Sequence, residues 1–186
     1  DGHMLISNPP AANPEMLNIG LSNFTFEAWI KTDQIQSNGR LFLKMSQTEN
    51  SGYSLRLLGG KLWAHYFAED STNTQFSATP CQGVNNLSDG LWHHVAVSVE
   101  RGAQIQLYED GAPTTACTVD GESFSLVNSG IPTFGGNFDS NYSNIDPFDG
   151  MIDDAFFWKS ARSETEIIGE MCGNPNTTHT DLLGYW

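Results

Sequence analysis

Basic side chains are scarce in this sequence: 8 Lys and Arg residues stand against 22 Asp and Glu residues, for a formal net charge of −14. A surface this negative repels phosphate backbones and anionic head groups, which argues against nucleic acid and membrane surfaces as partners. It attracts divalent cations instead. No apolar run approaches the roughly 18 residues of a membrane span, so we expect no direct membrane insertion.

Cysteine is also rare. The 3 cysteines form neither a C-x-x-C pair nor a Cys/His cluster with the spacing of a zinc site. Cys81 and Cys117 each follow a strand-like run, and we predict a disulfide between them that leaves Cys172 free. The alternative, three reduced thiols, stays open at this point.

Sequence motifs of catalysis are missing. The chain contains no G-x-S-x-G, no H-E-x-x-H and no phosphate-binding G-x-x-x-x-G-K-[ST]. Retaining glycosidases need two carboxylates about 5 Å apart, which an alternating E-x-D-x-E strand would supply, and no such run occurs. The adjacent Glu109 and Asp110 would point to opposite faces of a strand. We therefore expect a protein that is not an enzyme.

Short segments of alternating polarity dominate what is present. Residues 24–30 place apolar side chains on one face, as a half-buried strand requires, and residues 92–99 do the same. Residues 53–58 and 61–67 flank Gly59-Gly60, which predicts a hairpin because glycine supplies the positive φ of a tight turn. We expect many antiparallel strands in a single domain over residues 1–186, since neither a repeat nor a linker interrupts them.

One stretch predicts a helix. Ser163 and Glu166 form a capping box, and the apolar Ile167, Ile168 and Met171 follow it. The run Cys172-Gly173-Asn174-Pro175 ends the helix. The predicted fold class is therefore all-β, with one short helix near the C-terminus.

Three segments carry a family likeness. Residues 89–111 contain D-G-L-W-H-H-V-A-V followed by L-Y-E-D-G, residues 148–167 contain F-D-G-M-I-D-D-A followed by W, A, S and E-I, and residues 24–31 contain F-T-F-E-A-W-I-K. These motifs resemble laminin-G-like and pentraxin-like domains of the concanavalin A-like superfamily. The resemblance implies a two-sheet antiparallel jelly roll. It also implies a secreted protein, extracellular or at the cell surface, in which this domain is one part of a larger chain with other domains.

The resemblance also implies a structural calcium ion. Members of the superfamily often hold calcium where the start of the chain meets the last long strand, which here means Asp1, Gly2, Asp153 and Asp154. Calcium takes six to eight oxygen ligands, and two adjacent aspartates with backbone carbonyls supply part of that shell. In a regular strand only one of Asp153 and Asp154 faces inward, so surface acids without a metal are the alternative.

Carbohydrate recognition needs an aromatic surface beside polar groups. Trp63, His65 and Phe67 share one strand face, Tyr66 lies on the other, and Asp70 follows in a polar loop. An outward Trp63 face would form a sugar platform, whereas an inward one would be core, and burial statistics favour core. Our candidate ligand contacts here are Trp63, His65, Tyr66 and Asp70.

A second candidate is the loop at 137–149. Asp139, Asn141, Tyr142 and Asp146 combine oxygen ligands with an aromatic ring, and the start resembles a calcium-binding EF-hand loop. The match then fails, because Asn144 replaces the required glycine, so an ordinary polar loop is the alternative. Trp92, in the W-H-H-V segment, is expected to pack in the core.

The leading hypothesis is an extracellular recognition module that binds a glycan or cell-surface polymer with support from calcium. The alternative is a structural adhesion domain that binds a surface protein. A polysaccharide-cleaving enzyme is the least supported of the three, because the sequence lacks a catalytic carboxylate pair.

Overall fold

The computed structural model describes residues 4–5, 17–46, 48–69, 75–77, 80–119, 123–138, 144–173 and 178–186. In chain order their elements are β1 Met4–Leu5, β2 Phe24–Lys31, β3 Gly39–Ser46, β4 Ser51–Leu58, β5 Lys61–Glu69, β6 Gln75–Ser77, β7 Cys81–Gln82, β8 Trp92–Glu100, β9 Gln104–Glu109, β10 Ala112–Thr118, β11 Thr133–Phe134, β12 Asn137–Phe138, β13 Asn144–Ile145, β14 Met151–Trp158, α1 Glu164–Met171 and β15 Leu182–Tyr185.

Two antiparallel sheets form the body of the fold. The first sheet has the strand order β1-β11-β3-β4-β5-β6, with β7 also paired to β5. The second sheet has the order β10-β9-β8-β2-β14-β15, and β12 with β13 makes a separate small ribbon. The hairpin of β4 and β5 turns at Gly59 and Gly60, whose φ angles are 61° and 78°. The predicted all-β sandwich is confirmed.

The core lies between the two sheets and is rich in aromatic rings. Phe26 from the second sheet stacks on Phe42 from the first, with ring centroids 4.8 Å apart. Phe157 lies 5.5 Å from both Phe42 and Tyr53. All four side chains are at most 2% exposed. Aromatic contacts of this kind suit the ring quadrupole and help to hold the two sheets together.

Helix α1 begins as the sequence predicts. The Ser163 hydroxyl accepts a hydrogen bond from the Glu166 backbone N–H, and the Glu166 carboxylate accepts one from the Ser163 N–H. Ile167 is buried with Ala96 and Tyr108, so the helix covers part of the outer side of the second sheet. Within the part of the chain that is described, no helix is long and apolar enough to cross a membrane.

A disulfide joins the two sheets. Cys81 lies in β7, which pairs with β5 of the first sheet, and Cys117 lies in β10, at the edge of the second sheet. The structure bonds these two residues, whose Cα atoms are 5.7 Å apart, and leaves Cys172 free and exposed. This is the pairing expected from the sequence. The bond ties a largely exposed edge strand to the opposite layer of the sandwich.

Candidate functional site

The outer side of β5 carries three aromatic side chains singled out from the sequence. Trp63, His65 and Phe67 point away from the core and are half-buried, whereas the residues between them are core. Strand alternation alone puts the three on one side, and packing of the second sheet against the other side leaves them facing solvent. We call this surface of the first sheet the aromatic face. The preference for an inward Trp63 face was wrong.

Tyr66 faces the core, on the side of β5 opposite to Trp63. Its ring is only 1% exposed, lies 6.4 Å from Phe24 across the core, and has the Arg101 guanidinium 5.0 Å from its centroid. Because successive residues of a strand face opposite sides, an outward Trp63 requires an inward Tyr66. The prediction that Tyr66 contacts ligand is wrong.

Four neighbouring strands bring a row of side chains to the aromatic face. Arg40 on β3 lies opposite Arg56 on β4, Arg56 lies opposite Trp63, and Trp63 lies opposite Gln82 on β7. Directly opposite residues share a side of the sheet. The Arg56 guanidinium carbon lies 5.5 Å from the Trp63 ring centroid. Sequence reasoning missed Arg40, Arg56 and Gln82, because cross-strand register, which no local pattern shows, makes them neighbours.

A second contact extends the aromatic face along β5. His65 Nε2 lies 2.9 Å from the Ser77 hydroxyl of β6. The His65 ring also stacks on Phe67, with centroids 5.6 Å apart and planes 21° apart. Ser77 therefore helps to fix the imidazole orientation, and the stacked rings of His65 and Phe67 add aromatic surface beside Trp63.

Asp146 lies at the margin of the same face. One of its carboxylate oxygens accepts hydrogen bonds from Arg40 Nε and Nη2, each 3.3 Å long. Its backbone carbonyl also accepts the Arg40 N–H at 3.1 Å. The structure thus brings Asp146 next to the row that contains Trp63, as an ion-pair partner of Arg40. The other predicted contacts, Asp70, Asp139, Asn141 and Tyr142, lie outside the described residues.

The candidate calcium residues lie on an irregular part of β14. The register with β2 shifts between Asp153 and Phe156, and Asp154 has a φ of 45°. Asp153 is exposed and accepts the Asp154 backbone N–H at 2.9 Å, while Asp154 is half-buried and accepts the Tyr185 hydroxyl at 2.5 Å. The shift removes the strict alternation assumed from the sequence. Asp1 and Gly2 lie outside the described residues.

Two carboxyl groups meet under helix α1. Glu27, on the outer side of the second sheet, is fully buried and accepts the Trp158 indole N–H at 2.8 Å. His94 Nε2 lies 3.4 Å from its other oxygen. Glu170 of the helix is close enough to Glu27 for the two carboxyl groups to interact, and it is paired with Arg162. Side chains from three strands and the helix thus form one buried polar network.

The titration of this network follows from its burial. Burial, reinforced by the hydrogen bond to Glu27, raises the pKa of Glu170 to about 7 against the opposing effect of Arg162. Burial also raises the pKa of Glu27. In contrast, burial lowers the pKa of His94 to about 4, because a charged imidazole there would lose its hydration. Burial therefore favours the neutral form of all three groups: protonated carboxyls on Glu27 and Glu170, and an uncharged imidazole on His94.

Trp92 departs from its predicted place in the core, since it is 40% exposed on the outer side of the second sheet. Its neighbour His93 is held between two carboxylates, with Nδ1 2.9 Å from Asp110 and Nε2 3.1 Å from Asp89. Although burial opposes the charge, these hydrogen bonds raise the pKa of His93. At the start of β8 the W-H-H-V segment therefore makes polar contacts through His93, and Trp92 does not pack in the core.

A cleft of about 330 Å³ opens near Trp92 at the end of the sandwich. The Thr32 hydroxyl donates to the Asp149 carbonyl across it at 2.6 Å. Its walls come from three segments far apart in sequence, which is why sequence analysis missed it. The lining residues are Lys31, Thr32, Asp33, Gly90, Asp149, Gly150 and Met151.

A family model supplies the classification. A laminin G model, described as part of the concanavalin A-like lectin/glucanases superfamily, matches residues 8–168. The chain belongs to this family. Its members' fold is the sandwich described above, as the motifs at residues 89–111 and 148–167 predict. Among curated proteins, no sequence relative matches the chain.

Solved structures of this laminin G-like fold include binding domains. Domains LG4-5 of the mouse laminin α1 chain superpose with a TM-score of 0.61 at 19% identity, covering 86% of this chain and 40% of that one. The CBM40 of the Ruminococcus gnavus IT-sialidase gives 0.61 at 16% identity, covering 90% and 95%. The binding domain of Paraclostridial Mosquitocidal Protein 1 gives 0.56 at 14% identity, covering 90% and 44%. At these identities the likeness concerns the fold.

The lengths and ligands of these structures differ. This chain spans less than half of the laminin fragment and of the mosquitocidal binding domain. The CBM40 has also been solved bound to α2,6 and α2,3 sialyllactose. The laminin G-like sandwich is therefore a fold on which carbohydrate binding occurs, while the residues that would do so here have to be argued from this chain.

Proposed function

We propose that this laminin G-like domain is a non-catalytic, extracellular module that binds glycans on the aromatic face. The observation that carries the proposal is the outward orientation of Trp63, His65 and Phe67 on β5. Half-buried aromatic rings are fixed by their neighbours yet offer a flat apolar surface, which suits the C–H face of a pyranose ring. Gln82 and Ser77, both exposed, add polar groups around it.

Two further observations support the non-catalytic and extracellular parts of the proposal. Glu27 and Glu170 interact beneath α1, but Glu27 has no exposed surface and the helix covers it. A sugar would have to displace the helix to reach both groups. The Cys81–Cys117 disulfide fits an oxidising compartment. The outward aromatic rings also favour glycan binding over the alternative of a purely structural adhesion domain.

We expect Trp63→Ala to weaken glycan binding at least about tenfold, because it removes the largest ring of the platform. The measurement is binding of the purified domain to a glycan panel, followed by titration of the best ligand. Trp92→Ala is the matched control, since it removes an exposed tryptophan from the opposite sheet. Equal losses in both variants, or no loss in Trp63→Ala, would contradict the use of the aromatic face.

Calcium is the second element of the proposal. Asp153 and Asp154 leave carboxylate oxygens beyond those used by the Asp154 N–H and the Tyr185 hydroxyl. The register shift takes Asp154 out of the regular ladder, directly after Asp153, which still pairs with Trp29. These oxygens fit part of a calcium shell. Within the described residues no three His, Cys, Asp or Glu side chains cluster closely enough to hold a metal. The remaining ligands would be Asp1 and Gly2, with backbone carbonyls.

We expect calcium to stabilise the domain against unfolding by about 2.5 kcal/mol at about a hundredfold excess over its Kd. The measurement is the melting temperature in calcium and in EDTA. Asp153→Asn with Asp154→Asn should abolish the difference, whereas Asp33→Asn, an exposed acid elsewhere, should leave it intact. A melting temperature that EDTA and calcium leave unchanged in the unsubstituted domain would exclude the ion.

A further inference from the structure

Two like charges face each other on the aromatic face. Arg40 and Arg56 occupy directly opposite positions of β3 and β4. Directly opposite like charges destabilise a sheet, so such a pair is costly without an anion between or beside the two. Burial and then the charge of Arg40 lower the pKa of Arg56, against the opposing effect of the Asp146 carboxylate.

Arg56 is poorly satisfied within the described residues. Its hydrogen bond is to a neutral group, from Nη1 to the Asn38 side-chain oxygen at 3.1 Å. Its Nε is buried with no hydrogen-bond partner there, as is the indole Nε1 of Trp63. Asp146 neutralises Arg40, but its carboxylate accepts no hydrogen bond from Arg56. The Arg56 guanidinium therefore retains both charge and unused donors beside the Trp63 ring.

The placement of the other basic residues strengthens this argument. Lys44 and Arg101 are buried, and Arg162 is nearly so. Of the remaining basic residues, Lys31 and Lys159 belong to the second sheet or the segment just after it. Arg40, Arg56 and Lys61 all lie on β3, β4 and β5, and Lys61 shares the strand side of Trp63. Three of the five remaining basic residues thus lie on the outer side of the first sheet, in a chain with a net charge of −14.

The geometry of the row suits a charged sugar. Arg40, Arg56, Trp63 and Gln82 lie on four adjacent strands, which span roughly 14 Å at the usual strand spacing. A planar guanidinium donates two parallel hydrogen bonds to a carboxylate or sulfate, and the neighbouring indole ring can stack on the sugar. A neutral glycan would use the ring alone and leave Arg56 without an anionic hydrogen-bond partner.

We propose that Arg40, Arg56 and Trp63 form a subsite for an acidic saccharide, a sugar ring that carries a carboxylate or a sulfate ester. The subsite rests on the proposed function and specifies its ligand class. Asp146 competes with the ligand anion for Arg40, because its carboxylate already forms an ion pair with the Arg40 guanidinium group. The affinity for acidic sugars is then set by Arg56 and reduced by Asp146.

The test uses two matched pairs of probes with the intact domain. Trigalacturonate is compared with its uncharged methyl ester, and a sulfated carrageenan tetrasaccharide is compared with its desulfated form. We expect at least one charged probe to bind about tenfold or more tightly than its uncharged partner. The pair that shows the difference identifies the carboxylate or the sulfate as the anion.

Three variants are expected to change the affinity for the charged probe in different directions. Arg56→Gln should weaken binding of the charged probe about tenfold and leave the uncharged probe within about twofold. Asp146→Asn, which removes the competing carboxylate, should strengthen binding of the charged probe about two- to fivefold. Lys159→Gln, an exposed lysine of the second sheet region, should change neither. Should Arg56→Gln unfold the domain, Arg56→Lys keeps the charge but loses the fork and should weaken binding severalfold.

Equal affinity for charged and uncharged probes would overturn the acidic subsite while leaving glycan binding by Trp63 in place. Loss of charged-probe binding in Lys159→Gln as large as in Arg56→Gln would overturn it too, because net charge and not the subsite would then be responsible. If neither these probes nor the wider glycan panel bind, the subsite and the proposed function both fail.

Discussion

Removing the disulfide by Cys81→Ser with Cys117→Ser is expected to lower the free energy of unfolding by about 3–4 kcal/mol. The bond closes a loop with a sequence separation of 36 residues, and the chain-entropy relation gives this magnitude for a loop of that length. It also ties the edge strand β10 to the first sheet, so its loss leaves that strand held by β9 and by its few contacts with β7. The effect is a large fraction of the stability of an ordinary domain.

The measurement is urea unfolding of the oxidised domain and of the double variant. Cys172→Ser is the control, because this thiol is free and exposed, and its stability should stay within about 0.5 kcal/mol of the unsubstituted domain. A loss below about 1 kcal/mol in the double variant would show that the sheets are held by the aromatic core without help from the cross-link.

The second large effect is a pH dependence located under helix α1. Glu170 has a folded pKa of about 7 against 4.5 in the unfolded chain, so the folded state binds more protons between these values. Its contribution to stability is therefore complete below pH 4.5 and is lost as the pH rises towards 7. His94 acts in the opposite direction: with a folded pKa of about 4 against 6.5, its contribution is lost as the pH falls through this range.

These two contributions oppose each other in the unsubstituted domain, and Glu170→Gln separates them. In the variant we expect the decrease in stability with rising pH that Glu170 causes to be absent. Its free energy of unfolding should therefore rise with pH from about 4.5 to 6.5. The stability difference between the unsubstituted domain and the variant should shift by about 1–2 kcal/mol between pH 4.5 and about 8, less than the full 1.36 kcal/mol per pKa unit, because solvent screens this partly buried carboxyl.

Urea unfolding at a series of pH values measures this shift. Glu164→Gln, which removes an exposed carboxylate from the first turn of the same helix, is the control and should change the stability by no more than about 0.5 kcal/mol at each pH. His93 adds a further decline above pH 6.5, because its raised folded pKa makes its stabilisation disappear as the pH rises through that value. Parallel curves for Glu170→Gln and the unsubstituted domain would contradict the raised pKa of Glu170 in the folded state.

The sequence predicted the fold well because the relevant signals are local. Period-two alternation at residues 24–30, the Gly59-Gly60 turn and the Ser163–Glu166 capping box each depend on a few neighbouring residues. The irregularity at Asp153 and Asp154 escaped prediction because a register shift arises between strands and has no signature in either strand alone.

What the sequence by itself determined was that Trp63, His65 and Phe67 share one side of a strand and that Tyr66 takes the other. Which side meets solvent was decided by the tertiary structure, because both sides of β5 carry large rings and packing of the second sheet chooses between them. The neighbours of Trp63 were likewise decided in three dimensions. Arg40, Arg56 and Trp63 come together through hydrogen-bond register across three strands, and local residue order contains no record of that register.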